Sequence, residues 1–289
     1  MFNRLNRLLN FFFLVVLISV FSFSVYSEEK KVDLLQSKWS FDSIFGTFDR
    51  ASLQRGYQVY QEICSGCHSV KHLSYRNLSE KGGPEFSVEE AKAIASQFEL
   101  QDGPNSDGEM FMRPARLSDN FVKPYPNVEA STAANGGAYP PDMSVLVKAR
   151  AGGADYIYSL LMGYEEAPMG TKLDDGVYYN KYMPGNKIKM SEPVSDGIVE
   201  YSDGTQATKE QISRDVTTFL VWASEPHLES QHRMGFKAIL YLIILIILVY
   251  LSKQKVWSRF NSKIEKEETF DKVEKAITKY EGEDPKSFK

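Results

Sequence analysis

Cys64, Ser65, Gly66, Cys67 and His68 form a C-x-x-C-H run, and no other feature of the chain restricts its fold as strongly. The pattern is the attachment signature of a c-type haem, in which two thiols form thioethers to the porphyrin and the adjacent imidazole takes the iron. Two intervening residues let the backbone turn so that both sulfurs reach one edge of the ring while His68 projects under its face. A chain tethered in this way must build its core around a flat, apolar macrocycle. Three other readings use the same residues: a short-loop disulfide between Cys64 and Cys67, a thioredoxin-type redox pair, and half of a zinc site. Zinc needs more ligands, yet the chain has no third cysteine and its other histidines are His72, His227 and His232. A thioredoxin-type pair needs a βαβ setting that the flanks do not supply.

The two ends fix the compartment. Residues 1–27 carry Arg4 and Arg7, then an apolar run from Phe11 to Phe23, then Val25, Tyr26 and Ser27 before a charged stretch. This is the order of a secretory signal, although an uncleaved anchor has the same ingredients. Either way the following domain is exported, which is where covalent haem attachment takes place in bacteria.

A second apolar run extends from Ala238 to Leu251 without a charge. Its Ile, Leu and Val residues each favour insertion by about 0.3 to 0.6 kcal/mol, and together they outweigh Lys237 at the edge. The run is shorter than the roughly 20 residues a bilayer wants. Gly235, Phe236, a snorkelling Lys237 and the flank to Trp257 extend it. A buried core helix is the competing reading. Lys253, Lys255, Arg259 and Lys263 crowd its C-terminal side, so the positive-inside rule makes that side cytoplasmic. The chain therefore divides into a signal peptide (1–27), an exported domain (28–234), a transmembrane helix with flanks (235–257) and a charged cytoplasmic tail (258–289). Between residues 28 and 234 there are 21 Lys and Arg against 30 Asp and Glu. That acidity argues against nucleic acid and favours a basic partner, although a surplus of carboxylates also makes an ordinary solvated surface.

Within the exported domain, residues 28–48 mix charge with Trp39, Phe41, Phe45 and Phe48 and read as a wrapping segment. Leu53, Tyr57, Tyr60 and Cys64 then recur at helical steps after Asp49, a candidate N-cap, and predict a helix that runs into the haem motif. Gly56 on that helix either admits a second helix or is a tolerated glycine. From about Lys81 to Gly204 the composition is rich in Gly, Pro, Asn and Asp, so long loops dominate. A helix is predicted near Val88 to Phe98, and another patch, Met143 to Met162, is broken at Gly152 and Gly153. Thr208 and Gln211 have capping-box spacing ahead of Ile212, Val216, Leu220 and Ala223, which predicts a helix that packs on the first and ends near Glu225. Beyond the membrane run, Phe260, Ile264, Phe270, Val273, Ile277 and Tyr280 recur among dense charge. An amphipathic helix would fit, but a solvated tail is the expectation.

The second axial ligand decides what such a haem does. An open iron binds gases or peroxide, whereas a closed one only exchanges electrons. His72 lies on the same side of the ring as His68, and His227 and His232 lie by the membrane. Met183 and Met190, in a Pro/Gly-rich loop far downstream, suit a strap crossing to the far face, and periodicity does not choose between them.

The blocks CSGCHSV, QDGPNSDGEMFMRPARLSD, KPYPN, AANGGAYPPDMS, RAGGADYIYSLLMGY, YYNKYMPGNKIKMSEPV, YSDGTQAT and FLVWASEPH, followed by RMG and the apolar run, resemble the cytochrome c1 family in unbroken order over about residues 34–257. The resemblance implies a mostly α, cytochrome c-type domain with long loops and one C-terminal transmembrane helix. It implies one covalently bound haem c tethered by Cys64 and Cys67 with His68 and Met190 on the iron, and it places Arg150 and Tyr156 at the haem. The implied partners are cytochrome b and a Rieske iron-sulfur protein in a bc1 complex, with a cytochrome c as acceptor. The implied location is a bacterial inner membrane with the haem domain in the periplasm. No side chain need act as acid, base or nucleophile, since the chemistry would belong to the haem. A free-standing membrane-anchored carrier is the alternative, and a peroxidase would want an open iron or a second haem motif. The tail beyond about Lys263 runs past the family's usual end.

Overall fold

The computed structural model of the chain describes residues 32–281, so the expected signal peptide lies outside the described residues. Helix α1 (Arg50–Val59) begins where Asp49 turns its carboxylate onto the amides of Ala51 and Ser52, at 3.0 and 3.4 Å. This satisfies donors that a helix start leaves without partners. The helix passes without a break into a wider π turn, Tyr60–Cys64, closed by Ser65 N donating to Tyr60 O at 2.8 Å. Such turns insert a residue into the helical ladder and often mark functional sites. Here the turn delivers Cys64.

Helix α2 (Val88–Ser96) is capped reciprocally by Ser87 and Glu90 and is followed by a short antiparallel hairpin, β1 (Glu99–Asp102) with β2 (Phe111–Pro114). Helix α3 (Val128–Ala134) starts on Asn127, and α4 (Gly153–Met162) starts after Gly152, whose φ of 91° makes the expected break. A second small pair, β3 (Tyr178–Tyr179) with β4 (Lys187–Ile188), lies in the loop that carries Met183. Helix α5 (Lys209–Ser224) then crosses the domain. Its predicted capping box forms by half. Thr208 Oγ1 accepts from Gln211 N at 3.1 Å, but the Gln211 amide reaches forward to both oxygens of Asp215 at 3.1 Å. The Nε2 donor goes to the buried carboxylate, a charged acceptor that makes the stronger bond.

The core is the seam between α1 and α5. A methyl group added at Gly56 would lie 2.1 Å from Asp215 O, so the glycine exists to let the two backbones close. Around it Tyr60 stacks on Phe219, ring centroids 5.5 Å apart, among Leu53, Ile212, Val216 and Trp222, all buried. Asp215 is fully buried and takes Arg55 in two bonds, Nε at 2.8 Å and Nη2 at 3.1 Å, with Ser52 Oγ at 2.6 Å. The wrapping segment closes the outside. Leu35 N donates to Ser159 Oγ, Trp39 Nε1 donates to Asp155 Oδ1 at 2.8 Å, and the Arg214 guanidinium covers the Trp39 ring. The protein is thus mostly α with long loops.

Helix α6 (Leu228–Glu281) leaves this domain, and its segment Leu228–Arg259 is long and apolar enough to cross a membrane. Glu229 in its first turn accepts from Phe48 N at 2.9 Å and from Arg50 Nη2 at 2.8 Å, which ties the helix to the start of α1. Where a solvated tail is expected, the helix continues to Glu281. Residues 252–281 contain no Gly or Pro, and Glu268 to Lys272 and Asp271 to Lys275 have the i, i+4 spacing that favours a helix even in water. Phe270, Val273 and Ile277 stand exposed on it.

Candidate functional site

Cys64 and Cys67 both carry free thiols; Cys64 is half-buried at the end of the π turn and Cys67 is exposed. Burial pushes the Cys64 thiol up to about 12. Cys67 N and His68 N both donate back to Cys64 O, at 3.1 and 2.8 Å, so the motif is one compact turn. His68 is buried, and its Nδ1 lies 2.8 Å from Pro141 O. A carbonyl can only accept, so Nδ1 carries the hydrogen and Nε2 keeps its lone pair for a metal. Burial pushes the imidazole pKa down, against the Pro141 bond and the Asp142 charge, which keeps the ring neutral, as a ligand must be. These features fit a c-type haem: two thiols on one turn that could form thioethers to the porphyrin, and one oriented imidazole for its iron.

Pro141 is itself held in place. Met143 N donates to Ser69 O at 2.8 Å, and Asp142 accepts from Ser69 Oγ at 2.7 Å, Lys71 N at 3.2 Å and Ser144 N at 3.0 Å. Burial opposes the Asp142 charge, but the hydrogen bonds from Ser144, Ser69 and Lys71 outweigh it and hold the carboxyl below its usual range.

The strap bearing the two methionines is fastened from several sides. Asn180, fully buried, donates Nδ2 to Leu160 O at the end of α4 (2.7 Å), while its Oδ1 accepts from Tyr182 N (3.0 Å) and Met183 N (3.2 Å). Tyr156 Oη lies 3.6 Å from Met183 Sδ, so that sulfur is engaged. Met190 is instead fixed through its backbone, where its carbonyl accepts from Tyr164 Oη at 3.0 Å. Its neighbour Lys189 donates Nζ to Gly136 O at 3.0 Å, joining the strap to the segment that ends in Pro141.

Arg150 is exposed, with Nη1 on Ala149 O at 3.1 Å. Burial raises the Tyr156 phenol, and the charge and hydrogen bond of Arg150 pull it back, so these two predicted residues are neighbours. The structure therefore brings Arg150, Tyr156 and Met183 together and holds His68 and Met190 on two segments joined by Lys189. His72 and His227 are exposed, and His232 lies by the membrane helix. Sequence reasoning missed Pro141, Asn180 and Tyr164. The Pro140-Pro141 pair was a signal of rigidity, whereas Asn180 is one of many polar residues in a loop-rich stretch.

Residues 39–260 match the model of the cytochrome C1 family. The chain is 48% identical over 241 residues to "Cytochrome b/c1" of Bradyrhizobium diazoefficiens, covering 77% of this chain but 35% of that relative's length. It is 45% identical over 225 residues to "Cytochrome c1-2, heme protein, mitochondrial" of Solanum tuberosum, covering 78% of this chain and 85% of that one. It is also 46% identical over 221 residues to "Cytochrome b-c1 complex catalytic subunit, mitochondrial" of Candida albicans, covering 76% of each.

Proposed function

Because the chain belongs to the cytochrome c1 family, we propose that it is the haem-bearing subunit of a membrane bc1 complex, receiving electrons from a Rieske iron-sulfur protein and passing them to a cytochrome c. The observation that carries this reading is the buried His68, oriented by Pro141 O directly after two free cysteines. Cys64 and Cys67 would tether the haem, His68 Nε2 would hold one face of the iron and Met190 Sδ the other. When bound, the haem supplies a one-electron iron couple; thioether ligation opposite an imidazole favours the ferrous form and raises the potential. Every protein group has a passive role. Pro141 and Asp142 fix the imidazole, Tyr164 and Asn180 fix the strap, and Arg150 with Tyr156 would lie beside the haem, where the guanidinium could neutralise a propionate. Met190 is favoured over Met183 because the Met183 sulfur already faces the Tyr156 hydroxyl.

The acidic exported domain suits a basic cytochrome c as acceptor. The segment Leu228–Arg259 would hold it at a bacterial inner membrane, haem domain in the periplasm, with Lys253, Lys255 and Arg259 on the cytoplasmic side. The partnership with cytochrome b draws support from the printed names of the Bradyrhizobium and Candida relatives. The test is affinity purification of the chain from its own membranes in mild detergent. Co-purification of cytochrome b and a Rieske protein, with quinol-driven reduction of the haem, is the expected result. Isolation of this chain alone with undiminished activity would make it a free-standing carrier.

A further inference from the structure

The apolar run that would cross the bilayer is short for the task. From Ala238 to Leu251 an α-helix rises about 20 Å, against a hydrocarbon core of about 30 Å. The helix makes up the difference by drawing in its flanks, which on the domain side means Phe236, with Lys237 snorkelling past it. The ring of Phe45 stands edge-on to Phe236 with centroids 5.8 Å apart. A membrane boundary that takes in Phe236 therefore reaches Phe45 as well.

Phe45 and its neighbour Ile44 are 69% and 79% exposed, although the rest of this loop turns its aromatics inward: Trp39, Phe41 and Phe48 are buried. The exposure does not come from a slack backbone. Thr47 N donates to Ser40 O at 3.2 Å and Gly46 N to Ser43 O at 2.8 Å. A methyl group at Gly46 would lie 2.5 Å from the Phe41 carbonyl, so the turn is as tight as a glycine allows. The loop is also fastened to the root of the membrane helix, through His232 Nδ1 at 3.4 Å from Gly46 O and through Glu229 on Phe48 N. Burial and the Asp155 carboxylate push the Asp42 carboxyl upward.

We propose that the 41–46 loop is a second membrane contact, with Ile44 and Phe45 inserted into the boundary between headgroups and acyl chains beside the helix. A domain held by one helix can pivot on it. A rigid apolar loop at the same level stops that pivot and sets the height and tilt of the domain over the lipid. The occupant is lipid because the patch is continuous with the apolar face of the spanning helix at Phe236.

The test places a nitroxide label at position 44 by Ile44→Cys in the full-length protein, in its native assembly, reconstituted into phosphatidylcholine vesicles. The unsubstituted protein serves as the labelling blank and Asp175→Cys, on an exposed loop, as the aqueous control. The expected result is a ratio of oxygen to nickel-chelate collision rates several-fold above that control. A ratio equal to the control would show the loop in water, and suppression of both collisions would show it covered by protein; either overturns the proposal. Position 44 is exposed, so the substitution leaves the fold intact.

Discussion

The Nδ1 nitrogen of His68 lies 2.8 Å from the carbonyl oxygen of Pro141, a residue 73 positions further along the chain. One backbone atom thus decides which imidazole nitrogen faces a metal, and the long loop after the haem motif must return to supply it. Asp142 is the anchor of that return. Its pKa is lower in the folded protein than the ordinary 3.8, so it contributes stability that is present above about pH 4 and is lost as pH falls through the folded value. Asp142→Asn is expected to flatten the acid limb of the stability curve below pH 4 in denaturant titrations. An unchanged limb would mean that the carboxylate holds nothing.

The Arg55–Asp215 pair at the seam of α1 and α5 makes a second prediction. Asp215 is fully buried, whereas Arg55 is partly exposed and also pairs with Asp203 at 2.7 Å, so it is removing Arg55 that strands a buried charge. Arg55→Ala is expected to cost about 3 to 5 kcal/mol by equilibrium unfolding. A loss below about 1 kcal/mol, the range of surface ion pairs, would contradict the assignment.

Asn180 spans the strap and the end of α4 with three hydrogen bonds from one side chain. Asn180→Ala leaves those backbone groups without partners, at about 1 to 3 kcal/mol each where water does not replace them. The strap is expected to loosen first, read as carbon monoxide binding to the reduced protein at a rate the parent does not show. Equal loss of stability with no carbon monoxide binding would make Asn180 a packing residue only.

If the proposed acceptor is a basic cytochrome c, the excess of carboxylates over residues 28–234 predicts that electron transfer to it slows as salt rises, because screening shortens the reach of the attraction. Stopped-flow rates that do not change with ionic strength would exclude docking by charge.

The helical skeleton was legible in the sequence because local chemistry dictates it. Asp49 caps α1 as its position suggests, Gly152 breaks the chain before α4, and Gly56 admits α5 rather than being merely tolerated. The capping box at Thr208 was only half legible, since the choice of Gln211 depends on Asp215, whose burial is a tertiary fact. The helix beyond Arg259 was hidden by its charge, which in a helix without Gly or Pro is no obstacle. At the site, the C-x-x-C-H run stood out in the sequence, while Met183 and Met190 were separated only by the family resemblance. Pro141, Asn180 and Tyr164 could not be read there, because they act across gaps in sequence through backbone atoms and buried amides that leave no periodic trace.

The central claim is that this chain closes a haem iron between His68 and Met190. The most direct test is the near-infrared spectrum of the oxidised protein, where sulfur bound to iron gives a weak charge-transfer band. The account predicts that Met190→Leu abolishes the band while Met183→Leu retains it. Loss of the band in Met183→Leu, with its survival in Met190→Leu, would contradict the account.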